Sequence, residues 1–374
     1  MTIVLTVNAG SSSLHLAYVD VTAGTGGAGG IAGDGAGARL DRSTPPADAE
    51  AAVRDFVAGR SAPDMVAHRL VHGGELVFRP TVVDDGLRRA LDDVAALAPL
   101  HLPPALALLD QLRRLLPDVP HLVCPDSAFH AGLPEPARTY PVPARWRERF
   151  GLRRYGFHGL SYAYATRRAG ELLGRPVADL HLLLAHLGGG ASVCAVRGGR
   201  SVDTSMGFTP LDGVPMSKRS GAVDPGMLLW LLDGRLTYDE VFDGLYHRSG
   251  LLGLSGGRSG DTRDLVAAAP GDPAAALAME TFDHRVRREM AAAATSLDRI
   301  DAVVFTGEIG WDQPEVRHDV CAGLRLLGVV PPTGGNRDDD GPVSAPGAAV
   351  PVLVVRPREE FELAREAAGA LVRA

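Results

Sequence analysis

Ile3–Asp20 reads IVLTVNAGSSSLHLAYVD. Ile3, Val4, Leu5 and Val7 are apolar β-formers that run into a small polar turn, Asn8-Ala9-Gly10-Ser11-Ser12-Ser13. Apolar residues then resume at Leu14, Leu16, Tyr18 and Val19. This pattern predicts a β-hairpin. Its turn is rich in small and hydroxyl-bearing residues, which let backbone N–H groups close on an anion. An ordinary tight hairpin would show the same letters. Leu182–Val196, LLLAHLGGGASVCAV, repeats the design of strand, small-residue turn and strand. Two such hairpins far apart predict a duplicated nucleotide-binding α/β fold with a cleft between its halves.

The 374 residues suffice for two domains with separate cores. With 45% hydrophobic and 22% charged residues the composition is globular, and charge, Gly or His interrupts every apolar run before it could span a membrane. The chain enters a strand directly, without the basic and small-residue features of a secretory signal. Cys124, Cys194 and Cys321 lack metal-site or disulfide-framework spacing, so a reducing cytoplasm is expected. A formal net charge of −7 disfavours nucleic acid and anionic membranes as partners. Lys218 is the only lysine.

Between the hairpins, Gly24, Gly26 and Gly29 satisfy GxGxxG. More glycine follows where a dinucleotide site needs a helix, so a surface connection is expected, with a helix over Asp48–Ala58. Met65–Val71 reads as a buried strand. Arg69 within it requires either a charged partner or ligand, or an edge position open to water. Helices are predicted over Asp84–Leu97 and Ala105–Leu116. A strand at His121–Cys124 delivers Asp126, a position equally suited to ligand binding and to helix capping. Pro134–Pro143 marks a domain boundary. His158 sits between glycine-rich neighbours, as a positioned side chain or a helix-entry residue would. Ser201–Pro225 reads as a long loop, of the kind that is usually functional. Helices are expected near Pro225–Leu232, Thr237–His247, Pro273–Leu297 and Pro314–Gly323. The strand Ala302–Phe305 empties into a third turn, Thr306–Gly310, able to hold a nucleotide. A strand at Val352–Val355 and a closing helix at Glu359–Val372 complete the chain.

No P-loop and no protein-kinase HRD or DFG element is present. Gly253-Leu254-Ser255-Gly256-Gly257 satisfies GxSxG, but the preceding residues make a poor strand and no helix follows at once, as a nucleophile elbow requires. Ten segments in order instead carry a resemblance over nearly the whole chain: NAGSSSL (8–14), HRLVHGGE (68–75), LAPLHLPP (97–104), DSAFH (126–130), RYGFHGLS (154–161), HLGGGAS (186–192), DTSMGFTPLDG (203–213), the KRSG and VDPG run (218–226), VFTGEIG (304–310) and PREE (357–360). Together they resemble the acetate kinase family, of the actin and sugar-kinase superfold.

The resemblance implies two duplicated actin/ribonuclease-H-like α/β domains around an interdomain cleft. The first spans 1–129 with the closing helix 359–374 returning to it, and the second spans 130–358. It implies a homodimer and reversible transfer of the ATP γ-phosphoryl group to acetate. By the same resemblance Asn8 and Glu359 hold Mg²⁺, Arg69 binds the substrate carboxylate, and Arg219 and His158 stabilise the phosphoryl group in transit. Asp126 matches the catalytic aspartate. A carboxylate acceptor needs no deprotonation near pH 7, so an orienting role is expected for Asp126. His101 belongs to the cleft, and Val71, Leu100, Phe157 and Pro210 to the acyl pocket. Ser11, Ser13, His15, His186, Leu187, Gly188, Gly189, Gly190, Asp261, Thr262, Arg263, Glu308, Ile309, Gly310, Trp311 and Asp312 fall on the nucleotide side. Departures cluster there: His15 stands for the usual Lys, Gly189 for Asn, and TGEIGWD (306–312) for TAGIGEN. Propionate or butyrate as acceptor, a donor other than ATP, and a non-catalytic homologue are the alternatives.

Overall fold

The structure, a computed structural model, describes residues 2–9, 14–21, 39–42, 46–335 and 338–372. Ser11, Ser13 and the glycine-rich stretch 24–37 after the first hairpin lie outside them. The chain divides into two compact units. The first holds the described residues up to Ala131, together with Phe157–Leu160 and those from Arg358 on; the second holds Gly132–Gly156 and Ser161–Pro357.

The first unit is built on β1 (Ile3–Ala9), β2 (Leu14–Asp20), β3 (Arg39–Arg42), β4 (Met65–Leu70), β5 (Thr81–Val82) and β6 (His121–Pro125). Their order in the sheet is β3-β2-β1-β4-β6-β5. The second contains β7 (His181–Leu187), β8 (Ala191–Arg197), β9 (Arg200–Thr204), β10 (Ala302–Thr306), β11 (Gly341–Pro342) and β12 (Val352–Val354), in the order β11-β12-β10-β7-β8-β9. Read from the opposite end, the second order repeats the first. In each, an antiparallel hairpin leads to a third antiparallel strand, two further strands join in parallel, and a two-residue edge strand runs antiparallel. The duplication expected from the two hairpins is thus present in the sheets themselves.

The central strands are mostly apolar and buried because helices cover both faces of a parallel sheet. Every residue of β10 is buried, and in β4 only Arg69 is not fully so. The closing helix, Glu359–Leu371, lies on the first sheet, where Leu363, Ala364 and Ala367 join Val4, Ala67, Leu122 and Cys124 in one core. Local stops and starts follow the sequence. Pro103 and Pro104 occupy the first helical positions of Leu102–Leu115, where the missing N–H costs nothing, so that helix begins three residues before the expected Ala105. The expected loop Ser201–Pro225 begins as β9, which pairs with β8 across a bulge at Ala195/Val196. The segment after β10 is not a turn, since a helix, Gly307–Asp312, starts at once. Ser255 follows the short helix Gly250–Leu254 rather than a strand, so no nucleophile elbow forms. No helix among the described residues is long and apolar enough to cross a membrane.

Asp283, on the helix Pro273–Ala294, is 5% exposed and its Oδ1 has no hydrogen-bond partner. Burial pushes its carboxyl up to about 8, nearby Asp319 adds to the rise and Arg287 opposes it. Between the ordinary carboxylate range and about 8 the folded chain therefore holds a proton that the unfolded chain releases, so folding stability falls as pH rises through that window. Asp283→Asn should remove this slope. Thermal unfolding of the two proteins should diverge between pH 5 and pH 8, the wild type losing Tm relative to the variant, and parallel curves would contradict the assignment.

Candidate active site

In the first unit the functional residues converge on the C-terminal ends of β1, β4 and β6. Arg69 points its guanidinium at Asp126, just beyond β6, with Nη2–Oδ2 at 2.5 Å and Nε 3.2 Å from both carboxylate oxygens. Its Nη1 donates to Asn8 Oδ1 at 3.0 Å, and Asn8 Nδ2 donates to Glu359 Oε2 at 2.9 Å. Glu359 Oε2 lies 3.8 Å from Arg69 Nε. Asp126 is almost wholly buried, and the Arg69 and Glu359 side chains are 13% and 16% exposed. Burial alone would lower the Arg69 guanidinium pKa, but the charges of Asp126 and Glu359 outweigh it and hold the pKa above its ordinary value. Of the two readings of Arg69, the charged-partner one holds.

Phe157–Leu160 completes this half. His158 is the only non-glycine among the described residues with a left-handed backbone, at φ +59°. Such strain persists only where surroundings impose it, and it concentrates at functional positions. The next residue shows what imposes it: a Cβ on Gly159 would sit 1.9 Å from the Asp126 carbonyl oxygen. The glycine lets this segment press against the Asp126 backbone. The Phe157 carbonyl is 3.0 Å from His130 Nε2, and its ring meets His72 edge-on at 5.2 Å. Val71 is buried, while Leu100 and His101 are partly so. His15 is exposed on β2, directly opposite Asn8. It thus lies in the first unit, beside the carboxylate cluster.

The second unit carries a pocket of about 730 Å³. The turn Gly188–Gly189 forms one side, Asp261, Thr262 and Arg263 another, and Glu308, Ile309, Trp311 and Asp312 a third. His186, at the end of β7, is held by Ser161 at 2.8 Å (Oγ to Nδ1). Leu187 is buried behind the turn, and Gly310 is buried in the helix. Gly307 has φ +81°, and a Cβ there would lie 2.3 Å from the Leu187 carbonyl oxygen. The glycine requirement therefore falls at 307, one residue before the substituted position, and Glu308 itself is exposed at the pocket wall. A Cβ at Gly189 would meet nothing within 4 Å, so the usual asparagine is not sterically excluded there. Asp261 caps the helix Thr262–Ala268 and pairs with Arg263 at 2.7 Å, which holds its carboxyl below the ordinary range.

The pocket also contains Ser217, Ser259, Gly260, Gln313 and Arg356, which the sequence did not single out. Ser217 donates its N–H to Gly189 O at 3.3 Å and its hydroxyl to Gly260 O at 2.8 Å, so it ties two walls together. Its place one residue before the Lys218-Arg219 pair was the available signal. Arg219 Nη1 donates to the carbonyl of buried Pro210 at 2.6 Å, and no carboxylate pairs with Arg219 among the described residues. Burial lowers its pKa to about 10. A partly buried guanidinium with no carboxylate partner is a site for an anion.

The repeated six-stranded arrangement defines an actin- and ribonuclease-H-like α/β protein with polar groups gathered at the strand ends of both units. The sequence profile described as Acetokinase family matches residues 54–365. The chain is 42% identical over 393 residues to the acetate kinase of Leifsonia xyli subsp. xyli, covering 98% of each. The crystal structure of Porphyromonas gingivalis acetate kinase superposes with a TM-score of 0.84 at 29% identity, over 99% of this chain and 100% of that one. A propionate kinase from Francisella tularensis gives 0.84 at 28% identity, over 98% and 99%. The chain belongs to the acetokinase family, and so to the phosphotransferases.

Arg69 holds the buried charge of Asp126, and removing one partner of such a pair costs about 3–5 kcal/mol. Arg69→Met should destabilise the protein by that order in urea denaturation. Arg69→Met combined with Asp126→Asn should recover part of the loss. Equal stability of Arg69→Met and wild type would show that the pair does not hold the first unit together.

Proposed function

We propose that this chain transfers the γ-phosphoryl group of ATP reversibly to acetate, giving acetyl phosphate and ADP. The supporting observation is the Arg69–Asp126–Asn8–Glu359 cluster, a cation fixed at the ends of parallel strands and ringed by hard oxygen donors. Both substrates are anions, so neutralising charge and fixing geometry must supply most of the rate enhancement. Arg69 binds the carboxylate, held in orientation by Asp126. No general base is needed, because the acceptor is already ionised near pH 7. Arg219, partly buried and lacking a carboxylate partner among the described residues, meets the charge of the transferring group, and His158 adds a second donor. His186 and the turn Gly188–Gly190 cradle the donor phosphates.

Asn8 and Glu359 offer an amide and a carboxylate oxygen, and no group of three or more His, Cys, Asp or Glu that could hold a metal is found among the described residues. Few protein oxygens, with the remaining positions left to water and phosphate, suit Mg²⁺, which these two residues would hold. Bound there, the ion supplies neutralisation of phosphate charge. Propionate as acceptor is a second reading, favoured by the equal TM-score of the propionate kinase. The three cysteines are buried and free, which fits the reducing cytoplasm.

A coupled assay crossing acetate, propionate and butyrate with ATP, GTP and pyrophosphate in Mg²⁺ tests the reaction. Acetyl phosphate from acetate and ATP is expected, and absence of transfer in every combination would end the proposal. Arg219→Ala should lower kcat by roughly a hundredfold or more with an unchanged circular dichroism spectrum, because its charge acts on the group in transit. Near-normal turnover would refute that role.

We also infer that two copies pair through the helices Pro225–Leu232 and Tyr238–His247. The first reads PGMLLWLL, carries no charge and has no buried residue, with Leu229 71% and Trp230 57% exposed. A face so apolar needs an apolar cover. Light scattering should report a dimer that Leu229→Glu converts to monomer, and a monomeric wild type would rule the pairing out.

A further inference from the structure

One wall of the pocket in the second unit carries two residues whose roles the phosphate chemistry leaves open. Trp311 lies near the end of the helix Gly307–Asp312, and Arg356 lies just beyond β12. The guanidinium carbon of Arg356 stands 5.1 Å from the centre of the Trp311 ring, and both residues line the pocket. Each backbone is fixed. The carbonyls of Gly310 and Trp311 accept from Nη1 of Arg317 at 2.9 and 2.7 Å, and Arg317 is wholly buried. The N–H of Arg356 donates to Asp340 Oδ1 at 2.8 Å, while Asp340 Oδ2 accepts from Arg168 Nε at 2.9 Å.

A cation over an indole at a wet surface does little for a fold. Two flat π-surfaces held at a pocket wall do offer a face to a third planar group, and nucleobases stack on aromatic rings and on guanidinium planes alike. The neighbouring charges fix which end of a nucleotide belongs there. Glu308 and Asp312 line the same wall, where the pKa of Arg263 is raised chiefly by its hydrogen bond to Asp261 and slightly further by these two residues. Their carboxylates disfavour phosphate beside them. That leaves the glycine turn for the phosphates and the Trp311 wall for the base.

We propose that Trp311, backed by Arg356, is the platform on which the base of the phosphoryl donor stacks, and that it selects nucleoside polyphosphates over inorganic ones. The proposal rests on the donor-pocket assignment made above.

Calorimetric titration of wild type, Trp311→Ala and Trp311→Phe with ADP, and separately with pyrophosphate, tests it. ADP should bind Trp311→Ala roughly tenfold to a hundredfold more weakly, and Trp311→Phe within a few-fold of wild type. Pyrophosphate affinity should be the same in all three proteins. ADP should also quench a part of the indole emission that Trp311→Phe lacks. Equal ADP affinity for wild type and Trp311→Ala overturns the proposal. A parallel loss of pyrophosphate binding also overturns it, since Trp311 would then support the pocket rather than stack. If wild type ignores ADP yet phosphorylates acetate from pyrophosphate, the platform falls and the carboxylate chemistry stands. If Trp311-dependent ADP binding occurs with no transfer to any acceptor, the platform stands and the kinase assignment falls.

Discussion

A guanidinium on a buried strand can be kept only if an opposite charge is brought to it, and the first unit is arranged around that requirement. Arg69 is the one charged guanidinium on a β4 that is otherwise buried, and Asp126 meets it from the end of the neighbouring parallel strand. Asn8 and Glu359 then share the charge, which draws the closing helix to the strand ends. The same crowding explains Gly159, the residue that admits the His158 segment against the Asp126 backbone. Ion pairs with this burial add little net stability over apolar packing. Their value is in direction: a charged group fixed on rigid strands and unable to turn away.

The two principal arginines are held in opposite electrostatic states. Arg69 is surrounded by anionic oxygen, and its charge is reinforced. Arg219 is partly buried and, among the described residues, donates to a backbone carbonyl and pairs with no carboxylate, and its partial burial lowers its pKa. A saturated cation orients a ligand without trapping it, whereas an unsatisfied one gains most from new negative charge. For a reaction between two anions, that difference separates holding a substrate from stabilising the group that moves.

Both hairpins were legible because small-residue turns between alternating strands have few other readings. The central strands were legible because parallel sheets leave uninterrupted apolar runs. Arg69 was legible as a cost, since a cation in such a run demands a partner, but the letters could not say which. The Asn8–Glu359 contact spans 351 positions, and only the family resemblance brought those residues together. Arg356 carried no local signal, and Ser217 only its place beside Lys218-Arg219, because their importance lies in what another segment of chain places beside them. Glycine misled once. The glycines near Thr306 read as a turn where a helix begins. The glycine exchanged in TGEIGWD stands at 308, although the residue that cannot bear a side chain is Gly307.

The first unit is discontinuous, and this has a consequence during synthesis. Its sheet is laid down early, but the helix that supplies Leu363, Ala364 and Ala367 to its core follows the whole of the second unit. At about 5–20 residues per second, roughly ten to fifty seconds pass on the ribosome before that face can be covered. The second unit has no such wait, since all its segments precede Arg358. The half of the molecule that is translated first is therefore the half that matures last, and it is the natural client for a chaperone that shields apolar sheet until the chain is released.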